Sequence, residues 1–230
     1  MAFNTKHLIE PWLNLLYPPL CTHCHTRLLK RGVLFCSLCL EQISLIESKG
    51  RCRVCFGDLY KGRCERCMKR PVIVQRQLAA CEAMGPAKTL LSAIQSGRRE
   101  CIPAAASLMA YQWLELKIPM PDFLIPLPFS FWQKQQVGFD AHLMLAVELG
   151  KILSLPVQTV FKQKFDRTHF LTQGEFRSRV VLAGKIEPDQ RLLLVAPLLD
   201  DGLLRQAGQE LRAIFPTQIN ALCFAALLTG

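Results

Sequence analysis

A chain of 230 residues is long enough for one medium domain, or for a domain of ordinary size with a small one beside it. Half of the residues are hydrophobic and 20% are charged, which excludes an intrinsically disordered chain. The formal net charge of +10, with an isoelectric point near 9.2, favours anionic partners: nucleic acid, phosphorylated metabolites or acidic lipid.

The first segment, "MAFNTKHLIEPWLNLLYPPL", forms a lead-in over residues 1–20. It carries Glu10, Pro11 and Asn14 where a signal peptide needs an unbroken apolar core. It reads instead as a short amphipathic helix that stops at Pro18–Pro19. Along the rest of the chain Lys, Arg, Glu or Pro interrupts every apolar stretch before about 18 residues, so no membrane span is expected. A cytoplasmic location follows as the expectation, and in that compartment disulfides are rare.

Residues 21–70 form the second segment. "CTHCHTRLLKRGVLFCSLCLEQISLIESKGRCRVCFGDLYKGRCERC" holds eight of the eleven cysteines as four Cys-x-x-Cys pairs. A Cys-x-x-Cys turn presents two thiolates from one knuckle, and two knuckles complete a tetrahedral site of four sulfurs. Cys21, Cys24, Cys36 and Cys39 make one such set; Cys52, Cys55, Cys64 and Cys67 make the other. Each reads as a zinc ribbon, giving two structural Zn2+ ions, with consecutive pairing expected and crossed pairing the alternative. Disulfides or an iron–sulfur cluster are the competing uses of such cysteines. Eight thiolates for two ions leave no open coordination position, which argues against a catalytic zinc. His23 and His25 flank the first knuckle and read as exposed. Ten cations lie in or beside the block: Arg27, Lys30, Arg31, Arg51, Arg53, Lys61, Arg63, Arg66, Lys69 and Arg70. Cys81, Cys101 and Cys223 stand in apolar or helical context and read as small core residues.

Residues 71–230 form the third segment. Strands are expected over 76–85, 123–128, 157–164, 191–199 and 219–228, and helices over 86–100, 102–116, 139–153 and 203–215. Strands alternating with helices imply an α/β fold with a mainly parallel sheet covered on both faces. In such sheets the ligand site lies beyond the carboxyl ends of the strands, which draws attention to the loop 199–203 with Asp200, Asp201 and Gly202. Asp200 and Asp201 have two readings: caps for the following helix, or ligands for a metal or a ribose. Arg98 and Arg99, and Arg177 and Arg179, form basic pairs that suit phosphates or a solvated surface equally. Phe129, Phe131 and Trp132 are expected in a loop beside Lys134, an aromatic–basic combination that suits base stacking on single-stranded DNA.

The whole pattern resembles the bacterial competence ComF family, also called ComF/GntX. The resemblance rests on "LLYPPLCTHC", the later cysteine pairs, "GPAKTLLSAIQSGRRE", "IPLP", "VGFDAHLMLAVELGKILSLP" and "RLLLVAPLLDDGLL", and it covers nearly the whole chain. It implies a type I phosphoribosyltransferase-like parallel-sheet domain preceded by a small zinc-ribbon domain. It also implies a competence (DNA uptake, natural transformation) accessory protein that acts on incoming single-stranded DNA in the cytosol, with a DNA-uptake helicase or recombination protein as partner. An active phosphoribosyltransferase, a regulator that binds phosphoribosyl pyrophosphate (PRPP) with Mg2+, and a zinc-ribbon adaptor between proteins are the alternatives.

The chain departs from the family pattern at two places. Members usually carry Arg-Gly-Phe-Asn-Gln where this sequence has Val137-Gly138-Phe139-Asp140-Ala141. Their PRPP loop reads Val-Asp-Asp, two residues, Thr-Thr-Gly, one residue, Thr. Without gaps this sequence places Ala196–Pro197 at the acidic pair, Asp200–Asp201 at the two threonines and Leu204 at the last threonine. Two aspartates would then face a phosphate dianion that backbone N–H and hydroxyl groups ordinarily cradle. A shifted register aligns Asp200–Asp201 with the acidic pair and leaves "GLLRQAG" as the phosphate loop, without a hydroxyl. The expectation is a domain with a degenerate PRPP motif and no catalysis.

Overall fold

The computed structural model describes residues 16–69, 72–165, 178–199 and 201–227. Among its described residues the cysteine-rich segment holds two short helices, α1 (Ser37–Glu41) and α2 (Glu65–Lys69). The rest alternates strands and helices: β1 (Arg76–Glu82), α3 (Gly85–Gln95), α4 (Ile102–Glu115) and β2 (Phe123–Pro126) come first. They are followed by α5 (Phe131–Val137), α6 (Ala141–Leu153), β3 (Phe161–Phe165), β4 (Ser178–Leu182), β5 (Arg191–Leu198), α7 (Asp201–Arg212) and β6 (Gln218–Ala226).

The main sheet has the order β1-β6-β5-β2, and all of its neighbours run parallel. Its strands read as almost unbroken apolar runs because both faces are covered. In β5, Leu193 and Val195 join Leu90 and Ile94 of α3, Met109 and Trp113 of α4, and Leu145 and Leu149 of α6. The alternate residues Leu192, Leu194 and Ala196 pack with Leu204, Ala207 and Leu211 of α7 and with Val160, Phe161 and Val180. This two-residue alternation divides one strand between two cores. Cys81, Cys101 and Cys223 are buried in these clusters, and burial alone pushes the Cys81 thiol up to about 12.

Both edges of the sheet are covered, which removes the unpaired backbone groups that invite association. On β2, the Leu124 N–H donates to the Pro156 carbonyl at 2.9 Å, and the Gln158 N–H donates to the Leu124 carbonyl at 2.9 Å. On β1 the cover is the cysteine-rich segment. The Ile46 N–H donates to the Ala80 carbonyl at 2.9 Å, and the Gln77 N–H donates to the Val54 carbonyl at 2.6 Å. The Gln112 amide donates to the Ile46 carbonyl at 2.8 Å, His23 meets the Thr89 hydroxyl at 2.8 Å, and Arg51 pairs with Glu82 at 2.6 Å. Leu28, Phe35, Cys39, Ile46 and Phe56 belong to the same apolar cluster as Leu90 and Trp113. The ribbons and the sheet domain therefore share a core.

Three elements differ from the sequence expectation. Phe131 and Trp132 begin α5 instead of lying in a loop. A capping box starts that helix: the Gln133 N–H donates to the Ser130 hydroxyl and the Ser130 N–H to the Gln133 side chain, while Gly138 ends it in the left-handed region. The strand expected from Val157 begins only at Phe161, and Val157 instead bridges to Leu124. That strand pairs antiparallel with β4, a strand not foreseen, in a separate two-stranded ribbon.

Gly97, between α3 and α4, has a φ of +94°, and a Cβ there would lie 2.9 Å from the Val137 carbonyl oxygen. Gly97→Ala should therefore lower stability by about 1–3 kcal/mol. The denaturation midpoint checks this, and an unchanged midpoint contradicts the close approach.

Candidate metal centres and the loop after the fifth strand

The sulfurs of Cys21, Cys24, Cys36 and Cys39 all lie within 4.8 Å of one another, and so do those of Cys52, Cys55, Cys64 and Cys67. Consecutive knuckles are thus brought together, as expected. Individual separations are 3.6 Å for Cys24–Cys36, 3.2 Å for Cys55–Cys64 and 3.8 Å for Cys52–Cys67. A zinc ion with Zn–S bonds of about 2.3 Å sets tetrahedral S···S edges near 3.8 Å, so each group fits one such ion. The same separations far exceed the roughly 2.05 Å of a disulfide. Backbone N–H groups turn toward the sulfurs: Cys36 N–H donates to the Cys21 sulfur and Val54 N–H to the Cys52 sulfur, each at 3.4 Å.

The thiols of each group are driven apart in acidity. Burial opposes ionisation of Cys21, but backbone N–H donors at Cys24, Cys36 and His23 outweigh it and bring the pKa down to about 6. Cys52 comes down to about 7 in the same way, with burial again opposed by the N–H groups of Cys55 and Val54. Burial and the neighbouring sulfurs push Cys39 up to about 12. Cys55 rises to about 11 chiefly through burial, and Cys67 is raised by burial and by its sulfur neighbours. Four negative sulfurs cannot crowd together without a cation, and a divalent ion removes that conflict.

The loop after β5 is short. β5 ends at Leu198 and α7 begins at Asp201, which leaves two residues between them; Asp200 lies outside the described residues. In the ungapped register the acidic-pair positions fall inside β5, where Ala196 is buried in the core beneath α7. In the shifted register the phosphate-loop positions 202–208 lie in α7, so that segment is a helix and not a loop. Gly202 is exposed in the first turn of that helix.

The basic candidates separate into two places. Arg98 pairs with Glu100 at 2.8 Å. Arg99 donates to the Gly138 carbonyl at 3.1 Å and lies 4.8 Å over the Phe139 ring. Lys134 bridges to Asp140 at 2.7 Å, while Asp140 also caps α6 through the Leu143 N–H. Arg98, Arg99 and Lys134 thus flank one junction, where the turn 137–140 meets the connection between α3 and α4. Arg179 stands apart on β4, 3.7 Å from Glu210, and Arg177 lies outside the described residues. The sequence reading missed Arg76, which joins Arg51 and Arg53 around a cavity of about 250 Å3 between the second ribbon and β1. No spacing in the sequence signals that meeting.

The chain matches no protein-family model and no curated protein. Solved structures overlap it in part. A purine phosphoribosyltransferase from Pyrococcus horikoshii is 21% identical over 53% of this chain and 71% of its own, with a TM-score of 0.38. A hypoxanthine-guanine phosphoribosyltransferase from Bacillus anthracis is 13% identical over 54% and 68%, with a TM-score of 0.35. A hypoxanthine phosphoribosyltransferase from Trypanosoma cruzi is 13% identical over 61% and 76%, with a TM-score of 0.34.

Metal analysis of protein purified under reducing conditions should find two zinc ions per chain; one, none, or iron in place of zinc contradicts the tetrahedral assignment. Cys36→Ser should leave one ion and, because the first ribbon shares the main core, lower the unfolding temperature of the whole chain. An unchanged unfolding temperature would mean that the ribbon is dispensable to that core. Ligation requires thiolates, so protons compete with metal as pH falls. Zinc transfer to a chelator should accelerate from about pH 8 to about pH 5, and a flat rate over that range would contradict thiolate ligation.

Proposed function

We propose that this chain is a non-enzymatic accessory protein of natural transformation, built from two zinc ribbons on a phosphoribosyltransferase-like domain, that holds incoming single-stranded DNA on the cytosolic side. It would pass the strand to a helicase or recombination protein. The observation that carries this reading is the cation distribution on the ribbons: Arg27, Lys30, Arg31, Arg53, Lys61, Arg63 and Lys69 are all exposed there. Phosphate contacts by such cations supply affinity without sequence preference. The family resemblance of the sequence supports the competence setting.

The loop after β5 supports the absence of catalysis. In the shifted register the phosphate-loop positions 202–208 lie inside α7 and include no hydroxyl to meet the 5′-phosphate of PRPP, and in the ungapped register an aspartate, Asp201, opens that helix. The rival reading is an active phosphoribosyltransferase or a PRPP sensor. It draws on the position of Asp200–Asp201 beyond the carboxyl end of β5, where Mg2+ would bridge a carboxylate to pyrophosphate.

Fluorescence anisotropy across a salt series should find single-stranded DNA binding that falls steeply with salt. Undetectable binding at about 50 mM salt would overturn the DNA reading in favour of a protein adaptor. Calorimetry with Mg2+ and PRPP should register no tight binding. Low-micromolar dissociation that is lost on Asp201→Ala would make the shifted register correct and the domain a PRPP binder.

A further inference from the structure

We propose that the tip of the second zinc ribbon is a base-stacking finger, with Tyr60 as the platform and Lys61 and Arg63 as its phosphate contacts. The assignment rests on the single-strand reading above and names the residues that would tell a single strand from a duplex.

The tip is rigid. Lys61 and Gly62 both have positive φ, at 50° and 77°, as the two central residues of a type I′ hairpin turn require. Reciprocal hydrogen bonds close it: the Tyr60 N–H donates to the Arg63 carbonyl at 2.9 Å, and the Arg63 N–H donates to the Tyr60 carbonyl at 3.0 Å. The next residue is the metal-ligand candidate Cys64, whose sulfur lies 3.2 Å from that of Cys55. An aromatic ring on such a support loses little freedom when a base stacks on it.

The ring is presented outward, with Tyr60 68% exposed. The Lys61 ammonium lies 5.5 Å from its centroid. The two acids beside the tip are already engaged: Asp58 with Arg51 at 3.1 Å and Glu65 with Lys69 at 3.1 Å. Among the described residues Lys61 and Arg63 have no carboxylate partner, so their charge is available to a polyanion. A flat ring between cations suits a strand whose bases are unstacked and whose phosphates alternate with them. A duplex keeps its bases stacked and offers this tip only phosphates.

The test compares a 20-nucleotide poly-dT strand with an abasic strand of the same length. The unaltered chain should bind the dT strand about tenfold more tightly, because stacking is lost with the bases. Tyr60→Ala should abolish that preference, Tyr60→Phe should keep it, and Tyr111→Ala, a variant of an exposed tyrosine on α4, should leave it unchanged. Lys61→Gln with Arg63→Gln should flatten the logarithmic salt dependence by about 1.4, at about 0.7 per phosphate contact on a single strand. All variants should retain the zinc content of the parent. A preference that survives Tyr60→Ala, or that Tyr111→Ala lowers equally, overturns the finger while leaving DNA binding intact. Binding to neither strand by the unaltered chain overturns the DNA reading itself.

Discussion

Everything in this fold depends on how the edge strand β1 is covered. An uncovered parallel edge presents a row of free N–H and C=O groups, and here Ile46 and Val54 satisfy those at Ala80 and Gln77. These two residues come from a segment with very little core of its own. Leu28, Phe35 and Phe56 are buried only because they join the cluster beneath α3 and α4. The sulfur groups must fix the conformation that delivers Ile46 and Val54 to the edge, since small ribbons draw their folding free energy from metal. Edge coverage and the main core are two aspects of one unit, and the segment that joins them carries both sulfur groups.

What the sequence disclosed follows the range of the interactions involved. The Cys-x-x-Cys spacing is local, and it placed all eight ligand candidates in their two groups. The α/β alternation was equally legible, because apolar runs such as Leu192–Ala196 belong only to strands buried on both faces. For helix α5 the informative residues are Ser130 and Gln133, three apart, and not the aromatic run Phe129, Phe131 and Trp132 that suggests a loop. The β3–β4 pairing and the meeting of Arg51, Arg53 and Arg76 join residues distant in sequence, and no local pattern announces them. Asp140 as the cap of α6 has a local signal, an aspartate just before an apolar helical run.

Electrostatics divides the cations into two populations. On the sheet domain some cations hold the fold: Arg99 spans Gly138 and Phe139, Lys134 neutralises Asp140, and Arg191 pairs with Asp122 at 2.8 Å and holds that carboxyl below its usual range, while Lys88, Lys117, Lys162, Lys164, Lys185 and Arg205 are exposed. A cation committed to an internal carboxylate must lose that partner before it can serve a phosphate, so its net value to a ligand is small. The ribbons instead carry exposed cations in excess of acids. Two of their cations are committed: Arg51 is drawn between Asp58 and Glu82, which fastens the second ribbon to β1, and Lys69 pairs with Glu65 at 3.1 Å.

The carboxyl ends of the strands, where a parallel sheet ordinarily builds its site, are occupied by the same kind of internal bond. Glu82 at the end of β1 is held by Arg51. Beyond β2, the Leu127 carbonyl meets His142 at 2.9 Å, and Phe129 lies 4.8 Å from the same imidazole. Beyond β6, the Ala226 carbonyl accepts the Ala83 N–H at 2.9 Å. At the end of β5, Gly202 is exposed and α7 follows after two residues. A phosphate-binding loop needs several consecutive backbone N–H groups turned toward one point. A helix points its interior N–H groups along its own axis into hydrogen bonds with preceding carbonyls, which leaves only the first turn free. The first turn of α7 is therefore the part of this end able to meet an anion without breaking an existing bond, and the exposed cations of the ribbons form a second such place.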